Sequence, residues 1–153
     1  MPNDNTQLII TPEADQVERA VRTWLQQYPE KPIAKVDYDF TGEATWLTME
    51  TIQAAYKTAP GYICGGYPAQ YQFAILYQSI PTTTNERLEM DEVLGKYAAW
   101  AEATAAEYLP QYLPQKCRFR RLNRNTNAAL LGRDANGSEI HQIMFTLLYE
   151  VNV

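Results

Sequence analysis

Cys64 and His141 carry the strongest intrinsic chemistry in this chain: a thiol and the single imidazole. A catalytic thiol needs a base within hydrogen-bond reach and a third group to orient that base. The sequence supplies the first two types but shows no orienting partner. The plainer reading is a small, partly buried thiol and a histidine held by a structural hydrogen bond near a strand start. Cys64 sits in the stretch PGYICGGYPAQY, residues 60–71, which holds three of the seven glycines. A phosphate-binding loop of the Walker type ends in Lys-Ser/Thr and opens a helix. Here that lysine is missing and a strand pattern follows, so the dinucleotide fingerprint fails as well. Glycine at loop bends accounts for the composition, and the stretch reads as a loose, tyrosine-bearing loop feeding a strand.

Carboxylates give a second candidate. Asp37 and Asp39 alternate onto one strand face, with Glu50 on the next strand, and such sets can hold hard cations. Exposed strand faces often carry the same pattern, so no metal site is assigned. Nor is zinc, because one histidine and two distant cysteines have no ligand spacing. No cofactor or catalytic residue is assigned either, and the chain is read as a non-enzyme.

Charge is the most informative property. The net charge is −5, which argues against general nucleic-acid binding, but it is unevenly spread. Residues 1–115 carry −8 and residues 116–153 carry +3, and Lys116 to Arg133 contains six basic residues and no acid. Read as a plain alternating strand, this segment puts Arg118, Arg120 and Arg124 on one face. A solvated edge strand guarded by charge, a nucleic-acid stripe and a contact to an acidic protein surface all fit such a row. Tyrosine, at eleven residues, suits interfaces because its large ring has a polar tip. Tyr62, Tyr67 and Tyr71, with the three arginines, form the candidate interface.

These residues need a scaffold. A length of 153 residues and a 46% hydrophobic composition suit one domain with its own core. Residues 1–11 read as a flexible arm and 12–153 as a single domain. No leader or membrane span is expected, and unpaired cysteines suit a reducing cytoplasm. Thr11-Pro12-Glu13 opens a helix whose apolar stripe is Val17, Val21, Trp24, Leu25 and Tyr28. Period-two alternation over 33–40, 45–52 and 70–80 predicts three strands. Tyr71, Phe73, Ile75 and Tyr77 share a face of the third, which is half apolar on its other face and so central or covered on both sides. Thr83 and Glu86 form a capping-box pattern for a long helix to about Glu107, with Leu88, Val93, Leu94, Tyr97, Trp100 and Ala101 buried. The repeat YLPQ-YLPQ at 108–115 reads as a packed, extended linker. Three strands follow, over 116–123, 128–132 and 139–151. The last has His141, Ile143, Phe145, Leu147, Tyr149 and Val151 on one face. Grouped strands with two helices predict an α+β domain, a mainly antiparallel sheet with helices on one face.

The order of these elements resembles a family of small tailed-phage and prophage proteins, the minor capsid or tail-terminator-like (tail completion) proteins. The resemblance runs from Val17 to Tyr149. It rests on Trp24-Leu25 with Tyr28-Pro29, Asp37-Tyr38, Gln70-Tyr71-Gln72-Phe73-Ala74, Trp100, Leu109-Pro110, His141-Gln142-Ile143 and Leu147-Leu148-Tyr149. The chain departs from the pattern by a longer N-terminal arm, the doubled YLPQ and the Ala129-Leu130-Leu131 segment. The resemblance implies a ring, commonly hexameric, that caps the tail tube and meets the head connector protein. Its setting would be the bacterial host cytoplasm during assembly, then the virion head–tail junction, with no membrane. It brings no catalytic residues. The alternatives are a head–tail connector that contacts DNA through the arginines and a small acyl-transfer enzyme, as the chloramphenicol-resistance label on some relatives suggests.

Overall fold

The computed structural model of the protein describes residues 12–29, 46–52, 57–63, 65–135 and 137–152. The N-terminal arm, the strand predicted over 33–40 with Asp37 and Asp39, and Cys64 lie outside them.

Helix α1 (Pro12–Leu25) begins at the proline that suits a first helical position. Val17, Val21, Trp24 and Leu25 are buried, and Tyr28 just beyond it is too, which is the stripe the spacing predicts. Strands β1 (Trp46–Ile52) and β2 (Tyr67–Ser79) pair antiparallel. Helix α2 (Thr84–Tyr108) starts at Thr83, whose hydroxyl accepts the Glu86 N–H at 3.1 Å. The reciprocal half of the capping box is displaced by one residue: Glu86 accepts from the Thr82 hydroxyl at 2.8 Å instead. Strands β3 (Cys117–Arg124), β4 (Ala129–Arg133) and β5 (Glu139–Val151) complete the described elements.

The sheet runs in the order β1-β2-β5-β3, all neighbours antiparallel, and β4 lies against β5 on the same edge as β3. This is the expected α+β architecture. β5 is 13 residues long, and it spans two shorter strands placed end to end. β3 pairs with its second half and β4 with its first. The break between them is bridged by side chains and backbone. Asn125 N–H donates to the Met144 carbonyl at 2.8 Å, and the Thr126 hydroxyl accepts from Met144 N–H at 3.1 Å. A turn with Gly137 at φ 87° joins β4 to β5, and the Asp134 carboxylate accepts the Ser138 N–H.

Both helices lie on one face, and the core fills the space beneath them. β2 gives Tyr71, Phe73 and Ile75, and β5 gives Ile143, Phe145, Leu147 and Tyr149. The period-two alternation of both strands is thus the burial pattern observed. α2 answers with Leu94, Tyr97, Ala98, Ala101 and Ala105, whose small side chains let the helix approach the sheet. Trp24 stacks on Trp100 at 5.6 Å and donates its indole N–H to Thr104. Tyr97 donates its hydroxyl to the Leu25 carbonyl at the end of α1, which also accepts the Tyr28 N–H at 3.3 Å. Burial pushes the Tyr97 phenol far up, so it stays a donor. Ala74 and Leu76, on the far face of β2, are buried with Ile52, Ile140 and Met144 around them. β2 is therefore central and covered on both sides, as its half-apolar second face implies.

The structure departs from the sequence pattern in α2 and in the linker after it: of the stripe expected to be buried in α2, Val93 and Trp100 are only half-buried. Leu88 is 56% exposed and Met90 is buried in its stead. The YLPQ repeat is packed, but its first copy is a 3-10 turn (Leu109–Gln111) rather than an extended connection. Leu109 and Leu113, one per copy, are both buried. Among the described residues no helix is long and apolar enough to cross a membrane.

Candidate interaction surface

The basic strand does not alternate plainly. Arg118 pairs with Glu150 and Phe119 with Tyr149, but the next pair is Arg121 with Leu148. Arg120 is the extra residue of a β-bulge, which inverts the alternation downstream. Arg118 and Arg121 therefore face away from the helices, with Arg120 bonded at 3.5 Å to Glu150 of the same face. Arg124, beyond the bulge, points toward the helix layer and forms a fork on Glu102 of α2. The expectation that Arg118, Arg120 and Arg124 share one face is corrected: Arg118, Arg120 and Arg121 form the exposed group. Arg118 and Arg121 have no ion pair among the described residues.

Arg120 and Arg121 border a groove of about 310 Å³ on the outer face, lined also by Tyr62, Pro68, Leu148 and Glu150, and Arg118 lies beside it on the same face of β3. The glycine-rich loop supplies the Tyr62 wall, and its described residues bond to one another. The Tyr62 N–H donates to the Gly66 carbonyl at 2.6 Å and the Gly65 N–H donates back to Tyr62 at 3.0 Å, closing a tight turn. Gly65 takes φ 106°, a conformation open chiefly to glycine. The Tyr62 hydroxyl donates to Glu150 at 2.7 Å, so one carboxylate ties loop and bulge together. Gly66 is required for a different reason: a Cβ there would lie 2.7 Å from the Val151 carbonyl oxygen. Gly66→Ala is expected to cost roughly 2 kcal/mol through this overlap with backbone. Chemical denaturation would measure it, and limited proteolysis of 57–66 would show the loop released from β5.

The other interface tyrosines divide. Tyr62 is 45% exposed. Tyr67 is half-buried against the core, with the Lys57 ammonium 4.3 Å from its ring centroid. Tyr71 is core: it stacks on Phe73 at 5.6 Å, and its hydroxyl meets Thr51 at 2.7 Å. As an interface residue of the folded subunit Tyr71 is corrected. Its position on the apolar phase of β2 is what buries it.

A second polar constellation lies at the opposite end of β5. Buried His141 has Asp91 Oδ1 at 2.6 Å from Nδ1 and Glu139 Oε1 at 3.0 Å from Nε2. Both ring nitrogens thus lie within hydrogen-bond distance of a carboxylate oxygen. Arg87 and Arg133 donate to the other oxygen of Glu139, at 2.6 and 2.9 Å. Burial raises the Glu139 carboxyl, but hydrogen bonds from His141, Arg87 and Arg133 outweigh it and hold the pKa at about 2. The cluster pins the first turns of α2 to β4 and β5. This is the structural hydrogen bonding expected of His141, with two partners rather than one. Cys64 lies outside the described residues, so the candidate thiol–imidazole pair does too. A third concavity, about 410 Å³, is lined by Pro29, Trp100 and both tyrosines of the YLPQ repeat, Tyr108 and Tyr112.

Arg121 and Glu150 escape a reading of the sequence because a bulge leaves no compositional mark. Two adjacent arginines in a strand are the one available signal. A scan against protein-family models matches none, and a search of curated proteins finds no match.

Proposed function

We propose that the protein is a structural assembly subunit of a phage or prophage virion, a tail terminator or minor capsid protein at the head–tail junction. It works by binding other subunits: copies of itself in a ring, the tail-tube protein and the head connector. One observation carries the reading. The outer face presents a groove bordered by Arg121 and an exposed tyrosine, with Arg118 on the same face, and neither of these two guanidiniums has an ion pair among the described residues. The α+β architecture is the fold class that the resemblance implies. The polar cluster at His141 supports a binding role over an acyl-transfer one, because its imidazole is engaged on both sides by carboxylates. Assembly begins in the host cytoplasm and ends in the virion.

Size-exclusion chromatography with light scattering, at high concentration, alone and mixed with a phage tail-tube protein, tests this. Association in either condition is the expected result. A single-protomer mass in both conditions would overturn it.

A further inference from the structure

The arginine groove has a complement on the same molecule that it cannot reach. The first turns of α2 carry Glu86, Glu89 and Glu92 at intervals of three, so they form one ridge of the helix. Glu89 and Glu92 are exposed, and Glu92 has no partner among the described residues. Leu88, 56% exposed, stands in the same turns. This end of α2 is fixed over Glu139 and His141, whereas the groove surrounds Glu150. Glu139 and Glu150 lie near opposite ends of β5, roughly 35 Å apart at about 3.3 Å per residue. The ridge is also on the helix side of the sheet and the groove on the other. At physiological salt the two patches are screened from each other, the Debye length being about 8 Å.

We propose that the groove takes the α2 ridge of a second copy of this chain. Arg121 of the groove and Arg118, beside it on the same face of β3, receive Glu89 and Glu92, and Leu88 seats on Leu148 and Pro68. The contact deepens the assembly reading and rests on it. Because the two patches differ, the contact is head-to-tail, and repeated association closes into a ring or runs on as a filament. It also assigns a role to the charge split: the −8 part of one subunit faces the +3 part of the next. Charge complementarity of this kind sets register and partner choice.

Charge reversal tests it. Variant one is Arg118→Glu with Arg121→Glu, and variant two is Glu89→Lys with Glu92→Lys. All four positions are exposed, and circular dichroism checks the fold. Association is read by sedimentation velocity, alone and with tail-tube protein. Each variant by itself is expected to associate about a hundred-fold more weakly than wild type, since like charges now meet. An equimolar mixture of the two recovers assembly, because each contact again joins opposite signs. Wild type that associates while both variants associate equally well would overturn this contact and leave the assembly reading standing. Wild type that never associates would overturn both. Wild type that stays monomeric but binds duplex DNA, with an affinity falling steeply in salt and lost in variant one, would replace the protein partner with nucleic acid.

Discussion

Phe73→Ala is expected to lower stability by about 4 kcal/mol, the largest loss of any single truncation in the sheet. Phe73 is fully buried at the middle of β2. It stacks on Phe145 of β5 at 5.2 Å and on Tyr71 of its own strand at 5.6 Å. Its position pairs with Thr51 on one side and Phe145 on the other, so it joins three strands at one level of the sheet. Removing the ring leaves a cavity that neighbours on a hydrogen-bonded sheet cannot collapse to fill. It also forfeits two aromatic contacts, each worth about 1 kcal/mol beyond area burial. Chains of this size lose roughly 3 °C of melting temperature per kcal/mol, so Tm should fall by roughly 12 °C. Phe73→Leu keeps most of the volume and should cost only about 1 kcal/mol. Equal losses in the two variants would show that packing at this level is loose.

Glu139→Gln is expected to cost about 2 kcal/mol at neutral pH, and the cost should vanish in acid. The change keeps shape but removes the charge that Arg87, Arg133 and His141 share. Breaking a buried charge set typically costs about 3 kcal/mol or more. Here the two guanidiniums are 44% and 56% exposed, and water that solvates them after the change reduces the figure. The sign of the pH dependence follows from the direction of the shift. The folded carboxyl titrates at about 2, below its ordinary value of 4.5. Its stabilising contribution is therefore complete above pH 4.5 and is lost as pH falls from 4.5 toward 2. Urea denaturation across this range should show the curves of the wild type and the Glu139→Gln variant converging in acid. Curves that stay parallel would mean that the charge of Glu139 does not hold the cluster together.

The parts of the fold that packing dictates are legible in the sequence, and the parts that local exceptions dictate are not. β2 and β5 each carry one phase that is apolar over most of its length, α1 carries an apolar stripe from Val17, and each buries it. α2 does not. From Leu94 onward it buries Leu94, Tyr97, Ala98 and Ala101, but its first turns are held by Arg87 on Glu139 and Asp91 on His141. Apolar periodicity has no grip there: the spacing puts Leu88 inside, whereas Met90, two positions on, takes the buried site. In β3 a single bulge sends Arg124 to the helix side. The bulge arises from pairing to β5, a strand distant in sequence, and no window of β3 alone encodes it. The site is half legible for the same reason: the charge of the 116–133 segment is plain, but its division between two faces is not.

β5 has a consequence for the order in which the molecule is made. It bonds to β2 along one edge and to β3 and β4 along the other, and it follows every other described element in the chain. β1 and β2, neighbours in sequence, are able to pair with each other once both have left the ribosome. The outer edge of β2, with Phe73 and Ile75 beside it, then waits unsatisfied through the synthesis of α2, β3 and β4. Open edges of this kind recruit foreign strands, and contacts between distant parts of a chain form slowly. The nascent protein thus passes through a long interval with half a sheet, and its exposure to misassembly is set by the ribosome's rate between Ser79 and Val151. Slowing translation in that interval should raise the aggregated fraction, whereas a stall before Tyr67 should not.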